Sequence, residues 1–520
     1  MTAEAENNKL PQRWVKTLSL TPPSLKDNTG DTDRLVGALK RELKTDSVQI
    51  DLELIRTLPS FLRKCNYQPR CVIFKDRERY VLTGILEASE DSLIAGLAVD
   101  LGTSRVVIRL VDLGNGRTLG ESAFDNPQGT IGPDILVRIH HAATPDGLDH
   151  LNDLVIEGLN LAIAGLCKTC GASPENIYLI TLAGNTAMTH LFLKIEPHWI
   201  IREPYIPAVN RPGLFNAREL GITVNSFARL MVFPNIGSYF GGDVVAGILF
   251  SGIHKKQDTS ILVDVGTNAE VVLGNKNWLI ACAGAAGPAL EGGVTRMGMM
   301  AGPGVIDKIT IEPSIREINI QTIENKSPMG ICGSGLIDLA AQLFLAQMID
   351  IRGKFVDANC GKRLKVIDGI AHLIIVPAEK SATGQDLTIS QVDLDSLVRS
   401  KAAMFTILET ITGTVGISLS DLSAFYVAGT FGSFINPRSA ISIGMLPDLP
   451  IESYKALGNS SLCGASLILT HPEYLDDIDQ IRDRITYVEL NVNQDFMNRF
   501  SAAKFIPHTD PSRFPSVIRQ

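Results

Sequence analysis

The sequence lacks the features that would send a chain to or through a membrane. It has no run of about 18 uninterrupted apolar residues, the length that a membrane-spanning helix needs. Its first ten residues, Met1–Leu10, are polar and lack the basic stretch and the apolar core of a signal peptide. We therefore expect a cytoplasmic protein with no membrane partner.

Surplus positive charge and a disulfide-type cysteine pattern are also missing. The net charge is −8, and the sequence shows no Lys/Arg-rich face of the kind that binds a phosphate backbone. This argues against nucleic acid as a partner. The eight cysteines are scattered through 520 residues, a usage typical of reduced thiols in a cytosolic protein. We expect no disulfide framework.

The chain has enough apolar material for more than one core. Hydrophobic residues make up 45% of it and charged residues 20%, which is ordinary for a globular enzyme. A chain of this length is expected to form two or three packed units. Residues 1–30 are predicted to be an extended linker, because Leu18–Asn28 contains paired prolines and turn-forming residues.

Residues 31–94 predict a small α/β domain. Asp33 can cap one amphipathic helix, and a second helical pattern runs from about Asp51 to Cys65. Two strands are predicted at Cys71–Phe74 and Tyr80–Leu86, separated by a charged turn.

From residue 95 the chain alternates short β-rich segments with amphipathic helices, a pattern typical of a mixed sheet covered by helices. Apolar spacing predicts one such helix over Leu148–Ile163 and a buried strand over Ile177–Leu182. A comparable set begins at Ile261. We expect one lobe over residues 95–248 and a second over residues 249–520.

One short pattern occurs in both lobes, at Val99–Thr103 and Val263–Thr267: an Asp ends an apolar strand, and Gly and Thr follow. Glycine lets the backbone approach a phosphate, and turn amides and the Thr hydroxyl can donate hydrogen bonds to it. The carboxylate can hold hydrated Mg²⁺ or orient a water. One copy could equally be a capped hairpin turn. The duplication favours two phosphate turns, with Asp100 and Asp264 facing one Mg·ATP.

A third element follows the second phosphate turn by about 160 residues. Phe425–Asn436 is an apolar strand that runs into a glycine turn, where a flat base could lie against bare backbone. The order phosphate, phosphate, adenosine is that of sugar kinases, heat-shock chaperones and actins. We therefore predict an α/β fold with two actin-like, ribonuclease H-like lobes around a nucleotide cleft. Ser238–Gly247 and Gly458–Leu469 could be small-residue helices that cross between the lobes, or could simply pack closely.

Several longer motifs carry a more specific resemblance. They are Thr21–Asn28, Asn126–Gln128 with Gly132, Asp134 and Arg138, Ala183–Met188, Val263–Glu270, Gly287–Gly293, Gly330–Asp338 and Ala428–Gly432. Together they resemble the ATP-dependent reductive activators of corrinoid proteins, over nearly the whole chain. The resemblance implies a homodimeric ATPase, working with Mg²⁺, that helps return an inactive Co(II) corrinoid protein to Co(I) in methyl transfer.

The resemblance also implies roles for individual residues. Asp100 and Asp264 would serve Mg²⁺ and the attacking water, with Glu270 as a further catalytic candidate. The phosphates would be bound by Gly102, Thr103, Ser104, Gly266, Thr267 and Asn268. The adenosine would be bound by Gly429, Thr430 and Gly432, and Gly287 is a further nucleotide-binding candidate. Glu270, and Glu291 in nucleotide binding, are second-tier candidates. The two glutamates could instead be capping or salt-bridging carboxylates.

The cysteines depart from the family pattern. Members usually carry an iron–sulfur domain, and a plant-type cluster needs four thiolates in Cys-x₄-Cys-x₂-Cys…Cys spacing. Cys65 and Cys71 stand alone, Cys167–Cys170 is a single CxxC, and Cys332 is typical of a packing residue. We therefore predict no iron–sulfur cluster in this chain and a separate low-potential electron donor, such as a ferredoxin. Local hydrogen bonds rather than metal bonds are expected for His140, His141 and His190.

Two other functions stay open from the sequence. Asp100–Arg105 also resembles the first loop of carbohydrate kinases, in which a hydroxyl substrate replaces water as the nucleophile. A non-enzymatic scaffold that uses nucleotide only to change shape is the third possibility. No chaperone-type peptide-binding domain is expected after the last motif, because only about 50 residues follow Leu469.

Overall fold

The computed structural model of the protein describes residues 14–88, 92–265, 268–285, 295–429, 434–488 and 494–518. These residues form two compact units, each described by itself. The first comprises Met1–Phe250 and Ser460–Asp483, and the second comprises Ser251–Asn459 and Arg484–Gln520, each as far as its residues are described. Within those ranges, no helix is long and apolar enough to cross a membrane.

The first unit begins with a four-stranded sheet, in the order β1-β3-β4-β2, and two helices. Apolar residues spaced by four give each helix one buried face: Leu35 and Leu39 in the first, and Leu54, Leu58 and Leu62 in the second. The two helices and the two strands predicted for the small domain are confirmed, but the predicted cap is wrong: Asp33 lies within the first turn of α1, whose N-cap is Gly30. The elements are β1 (Val15–Thr17), α1 (Asp31–Leu43), β2 (Val48–Ile50), α2 (Leu52–Lys64), β3 (Pro69–Asp76) and β4 (Arg79–Glu87). β1 lies within the segment predicted as a linker and pairs antiparallel with β3.

A six-stranded sheet follows, in the order β7-β6-β5-β8-β10-β9. Its central strand β5 is antiparallel to β6 and parallel to β8. The predicted helix over Leu148–Ile163 is confirmed, with Leu151, Val155, Leu159 and Ile163 in the core beside the sheet. The elements are β5 (Ala95–Leu101), β6 (Arg105–Asp112), β7 (Thr118–Asp125), α3 (Ile135–His141), α4 (Pro145–Thr169), β8 (Ile177–Gly184), α5 (Thr186–Phe192), β9 (Gly213–Asn216), β10 (Arg229–Val232) and α6 (Gly242–Ser251).

The second unit is built on another six-stranded sheet, in the order β21-β20-β11-β12-β13-β22. It also contains two three-stranded sheets, in the orders β15-β14-β16 and β17-β18-β19. β11 repeats the arrangement of β5, because it is antiparallel to the following strand β12 and parallel to β20. The elements are β11 (Ser260–Val265), β12 (Asn268–Gly274), β13 (Leu279–Ala285), β14 (Val305–Glu312), β15 (Glu317–Thr322), β16 (Gly330–Ile331), α7 (Gly333–Leu345), α8 (Asp357–Cys360), β17 (Leu364–Ile367), β18 (Ile370–Val376), β19 (Leu387–Ser390), α9 (Gln391–Thr414), β20 (Ala424–Ala428), α10 (Pro437–Ser442) and β21 (Tyr454–Gly458).

After β21 the chain returns to the first unit as α11 (Ser460–Thr470) and α12 (Leu475–Arg484). α11 packs closely against α6, since a Cβ atom added at Gly464 would lie 2.1 Å from the carbonyl oxygen of Ala246. The two small-residue segments thus pack closely against each other, and their crossing between the lobes stays a prediction. β22 (Ile485–Tyr487), α13 (Gln494–Ala503) and α14 (Pro515–Ile518) complete the second unit. The domain boundaries at residues 30, 94 and 248 stay predictions.

Candidate active site

The first phosphate turn joins β5 to β6. Asp100 is half-buried near the end of β5, at the edge where β5 and its parallel neighbour β8 both end. A Cβ atom on Gly102 would lie 2.3 Å from the carbonyl oxygen of Arg105, so only glycine fits at this point of the turn. Thr103 is half-buried and Ser104 is exposed. The turn therefore combines a carboxylate, bare backbone and hydroxyl groups at the end of a buried strand.

Two asparagines hold this turn from outside the β5–β6 hairpin. Asn126 follows β7 and donates from Nδ2 to the Gly102 carbonyl oxygen at 2.9 Å. Asn185 follows β8 and donates from Nδ2 to Thr103 Oγ1 at 3.0 Å. Each asparagine also caps a helical turn with its side-chain oxygen. Two neighbouring loops thus fix the backbone and the hydroxyl group of the turn.

A buried guanidinium lies behind these loops. Arg138 of α3 is only 1% exposed and donates to the Gly132 carbonyl oxygen at 2.8 Å and to Gln128 Oε1 at 3.3 Å. Burial lowers the pKa of Arg138, while nearby Asp134 acts in the opposite direction. An arginine stays protonated in proteins. Within the described residues, Arg138 forms no ion pair with a carboxylate, and its hydrogen bonds to oxygen atoms are to Gly132 and Gln128.

The second predicted phosphate turn lies partly outside the described residues, which include its strand β11. Asp264 is half-buried in that strand and lies directly opposite Glu270 of β12. Side chains that lie directly opposite on neighbouring strands share one face of the sheet. The two carboxylates therefore lie on the same face, where they can attract a divalent cation.

The predicted adenosine strand ends beside this turn. β20 runs parallel to β11, with Ala428 in register with Asp264. Gly429 follows with φ of 82°, and a Cβ atom there would lie 2.9 Å from Asp264 Oδ1 and 3.1 Å from the Val265 carbonyl oxygen. Glycine is therefore required at this position both for its backbone conformation and for space. Two motifs far apart in the sequence meet at the Asp264 carboxylate.

Replacing Gly429 with alanine is expected to slow ATP hydrolysis by about tenfold or more, because the added methyl group would displace the Asp264 carboxylate. The left-handed backbone adds a stability cost of about 1–2 kcal/mol. Gly416→Ala is the matched control, because Gly416 has φ of 71° and nothing lies within 4 Å of its added Cβ. Rates and thermal unfolding of both variants separate the two effects. Equal rates in the two variants would contradict the steric argument.

Several predicted nucleotide-binding residues lie outside the described residues. They are Gly266, Thr267, Gly287, Glu291, Thr430 and Gly432, and for Asn268 only the backbone is described, at the start of β12. Of the remaining predicted residues, the first unit brings together Asp100, Gly102, Thr103 and Ser104. The second unit brings together Asp264, Glu270 and Gly429.

No site role follows from the sequence for Asn126, Asn185 or Arg138, although all three lie in motifs that carry the resemblance to the reductive activators. A local signal existed for the asparagines, since Asn before a helical turn is a typical N-cap. Their contacts with the phosphate turn could not be predicted from the sequence, because Asn126 is 24 positions from Gly102 and Asn185 is 82 positions from Thr103.

A buried carboxylate lies beside the helix that follows the adenosine motif. Asp338 of α7 is 5% exposed, and α7 packs against α10, which begins at Pro437. Burial raises the pKa of Asp338, while the neighbouring Ser439 and Asn436 act in the opposite direction. Among the described residues, Oδ1 of Asp338 has no hydrogen-bond partner.

The cysteines and histidines have local contacts. All eight cysteines lie in the described residues and carry free thiols. The Cys332 thiol is buried, 3.4 Å from the Ile306 carbonyl oxygen, as expected for a packing residue. Burial raises the pKa of Cys167 to about 11.

The local bond predicted for His190 is confirmed, with Nδ1 2.7 Å from the Thr186 carbonyl oxygen. Within the described ranges, no three His, Cys, Asp or Glu side chains are grouped to hold a metal.

Three family models match the chain in succession. The RACo linker region matches residues 8–90, the RACo middle region matches 95–256, and the C-terminal domain of RACo, the ASKHA domain, matches 258–518. RACo denotes the reductive activators of corrinoid proteins, and ASKHA is the actin-like class of nucleotide-binding folds.

Two relatives and one solved structure match most of the chain. The corrinoid activation enzyme RamQ of Eubacterium limosum is 30% identical over 415 residues, 78% of this chain and 69% of the relative. The [Co(II) methylated amine-specific corrinoid protein] reductase of Methanosarcina barkeri is 24% identical over 406 residues, 75% of this chain and 73% of the relative. A solved structure of a reductive activator for a corrinoid, iron–sulfur protein has a TM-score of 0.87 and 36% identity, covering 99% of this chain and 82% of that one. The predicted α/β fold with actin-like lobes is confirmed.

Proposed function

Because this chain belongs to the RACo family, we propose that it is an ATP-dependent activator that helps return an inactive Co(II) corrinoid protein to Co(I). The electrons come from a separate low-potential donor, such as a ferredoxin. The protein acts in the cytoplasm as a homodimer and serves a methyl-transfer system. The corrinoid partner follows from the relatives, which are described as corrinoid activation enzymes and corrinoid protein reductases.

The observation that carries the use of ATP is the meeting of two motifs at Asp264. Gly429, which directly follows the predicted adenosine strand, lies against the carboxylate of Asp264, which precedes the second predicted phosphate turn. A nucleotide whose base lies on the Gly429 backbone would place its phosphates toward Asp264. This supports a nucleotide site more directly than either motif alone does.

The residues have distinct roles in this proposal. Asp100 and Asp264 would hold hydrated Mg²⁺ and orient the attacking water. Glu270 lies opposite Asp264 and is the further candidate for the general base. Bound Mg²⁺ would neutralise phosphate charge during hydrolysis. The phosphates are bound by Gly102, Thr103, Ser104, Gly266, Thr267 and Asn268. The adenosine is bound by Gly429, Thr430 and Gly432, with Gly287 and Glu291 as further nucleotide contacts.

Hydrolysis can assist reduction without supplying electrons. A nucleotide shifts a conformational equilibrium only when it binds one state more tightly than another. By the same linkage, a protein that binds the Co(I) form of its partner more tightly than the Co(II) form makes reduction of the partner more favourable. The nucleotide therefore assists reduction by changing the relative affinities of this protein for the two forms of the corrinoid protein.

This function is tested by measuring phosphate release from Mg·ATP in three mixtures: the protein alone, the protein with a Co(II) corrinoid protein, and the protein with a panel of carbohydrates. We expect slow hydrolysis that accelerates severalfold only with the corrinoid protein. Mass spectrometry of the carbohydrate mixture provides the control. A phosphorylated sugar would identify a kinase, and nucleotide binding without any hydrolysis would identify a nucleotide-switched scaffold.

A further inference from the structure

The amide orientation of Asn185 is determined by its cap. Its Oδ1 accepts a hydrogen bond from the Met188 backbone amide at 2.9 Å, at the start of α5. A backbone N–H is only a donor, so the oxygen must face it and Nδ2 must face the other way. Nδ2 therefore donates to Thr103 Oγ1 at 3.0 Å. The direction of this second bond follows from the first.

That direction has a consequence for the Thr103 hydroxyl group. A hydroxyl has one hydrogen to donate and two lone pairs that accept. Because Thr103 accepts from Asn185, its hydrogen is directed away from Asn185. Among the described residues, Asn185 is the one hydrogen-bond partner of Thr103 Oγ1. We propose that Asn185 is a positioning residue that orients the Thr103 hydroxyl as a hydrogen-bond donor to a nucleotide phosphate; this rests on the function proposed above.

The backbone around Asn185 is fixed closely enough for this role. The parallel pairing of β8 with β5 places Gly184 in register with Leu101, directly before the phosphate turn. A Cβ atom on Gly241 would lie 2.4 Å from the Asn185 Cα, so the chain packs tightly on the other side as well. The next residue, Thr186, donates to the Gly237 carbonyl oxygen at 2.7 Å. Asn185 therefore presents its amide group to the turn from a rigid loop.

Asn126 uses the same arrangement on the backbone of the turn. Its Oδ1 accepts from the Gln128 amide at 3.1 Å, which again leaves Nδ2 as the group that donates to the Gly102 carbonyl oxygen. A carbonyl oxygen repels phosphate oxygens, and Asn126 engages this one in a hydrogen bond. Both asparagines thus leave the donors of the turn available for an anion.

The test is the affinity of the full chain for ADP and for adenosine, measured by calorimetry with Mg²⁺ present. Asn185→Ser keeps a good N-cap but is too short to reach Thr103. We expect ADP affinity to fall by about tenfold at most, because a Thr103 hydroxyl without a fixed direction loses part of its hydrogen bond to the charged phosphate, while adenosine affinity is unchanged. If Asn185 only caps α5, the substitution should change the affinities for ADP and for adenosine by the same factor.

Asn216→Ser is the matched control. Asn216 also caps a helical turn, accepting from the Arg218 amide at 3.0 Å, and its Nδ2 also donates elsewhere, to the Ser226 carbonyl oxygen at 3.5 Å. This variant should bind ADP like the unaltered protein. If Asn185→Ser is too unstable to purify, Asn185→Asp keeps the shape and the cap, and its carboxylate should take the Thr103 hydrogen and weaken ADP binding further.

A double-mutant cycle with Thr103→Val decides whether Asn185 acts through the hydroxyl. We expect Asn185→Ser to change ADP affinity less than twofold once the hydroxyl is gone. An unchanged tenfold loss in the Thr103→Val background would overturn the proposal. Failure of the unaltered protein to bind ADP at all would instead overturn the proposed function, so the two outcomes are distinguishable.

Discussion

Replacing Asp264 with alanine is expected to lower kcat for ATP hydrolysis by about a hundredfold or more, the usual effect of removing a group that activates the attacking water. Asp264 lies at the end of β11, opposite Glu270 and against Gly429, so the change removes the carboxylate at which the two nucleotide motifs meet. The side chain is half-buried, outside the apolar core, and the thermal midpoint should shift by only a few degrees.

The control lies on the amino-terminal side of the same strand. Asp258 is exposed just before β11, and Asp258→Ala should hydrolyse ATP at the unaltered rate. Asp264→Asn keeps the size and removes the charge, so it distinguishes lost chemistry from lost packing. An Asp264→Ala variant with unchanged turnover would remove this residue from the mechanism and leave Glu270 as the candidate base.

The parts of the site that the sequence predicted well are local. The first turn, the strands that lead into both predicted phosphate turns and the amphipathic helix α4 depend on residues within one short window, where periodicity and glycine placement are direct signals. The position of Glu270 beside Asp264 could also be predicted from the sequence, because β11 and β12 are consecutive antiparallel strands and the two residues are only six positions apart.

The parts that could not be predicted depend on pairing between distant strands. Asn185 reaches Thr103 only because β8 lies parallel to β5 in the register that places Gly184 beside Leu101. Likewise, α11 belongs to the first unit although it follows nearly all of the second unit in the chain. Its position depends on close packing at Gly464, which small residues permit without specifying the partner.

The donor is the component that this chain is expected to lack. We predict that the purified protein carries no iron–sulfur cluster and reduces a Co(II) corrinoid protein only when both ATP and a separate low-potential donor are supplied. The eight cysteines of the sequence do not contain the four-thiolate spacing of a plant-type cluster. The resemblance to the reductive activators otherwise extends through the linker, middle and ASKHA regions. We expect Co(I) to form in the mixture that contains ATP and the donor, and no Co(I) to form in the mixture without the donor.

The measurement is the absorbance change from Co(II) to Co(I), followed with donor alone, ATP alone and both together. ATP hydrolysis releases free energy but no electrons, so ATP alone should give no Co(I). Donor alone should give little, because the nucleotide is needed to favour the reducible state of the partner. Asp264→Ala with donor and ATP should behave like donor alone, which ties reduction to the nucleotide site. Stoichiometric iron and sulfide in the pure protein, or Co(I) formed without added donor, would show that the chain itself holds a redox centre.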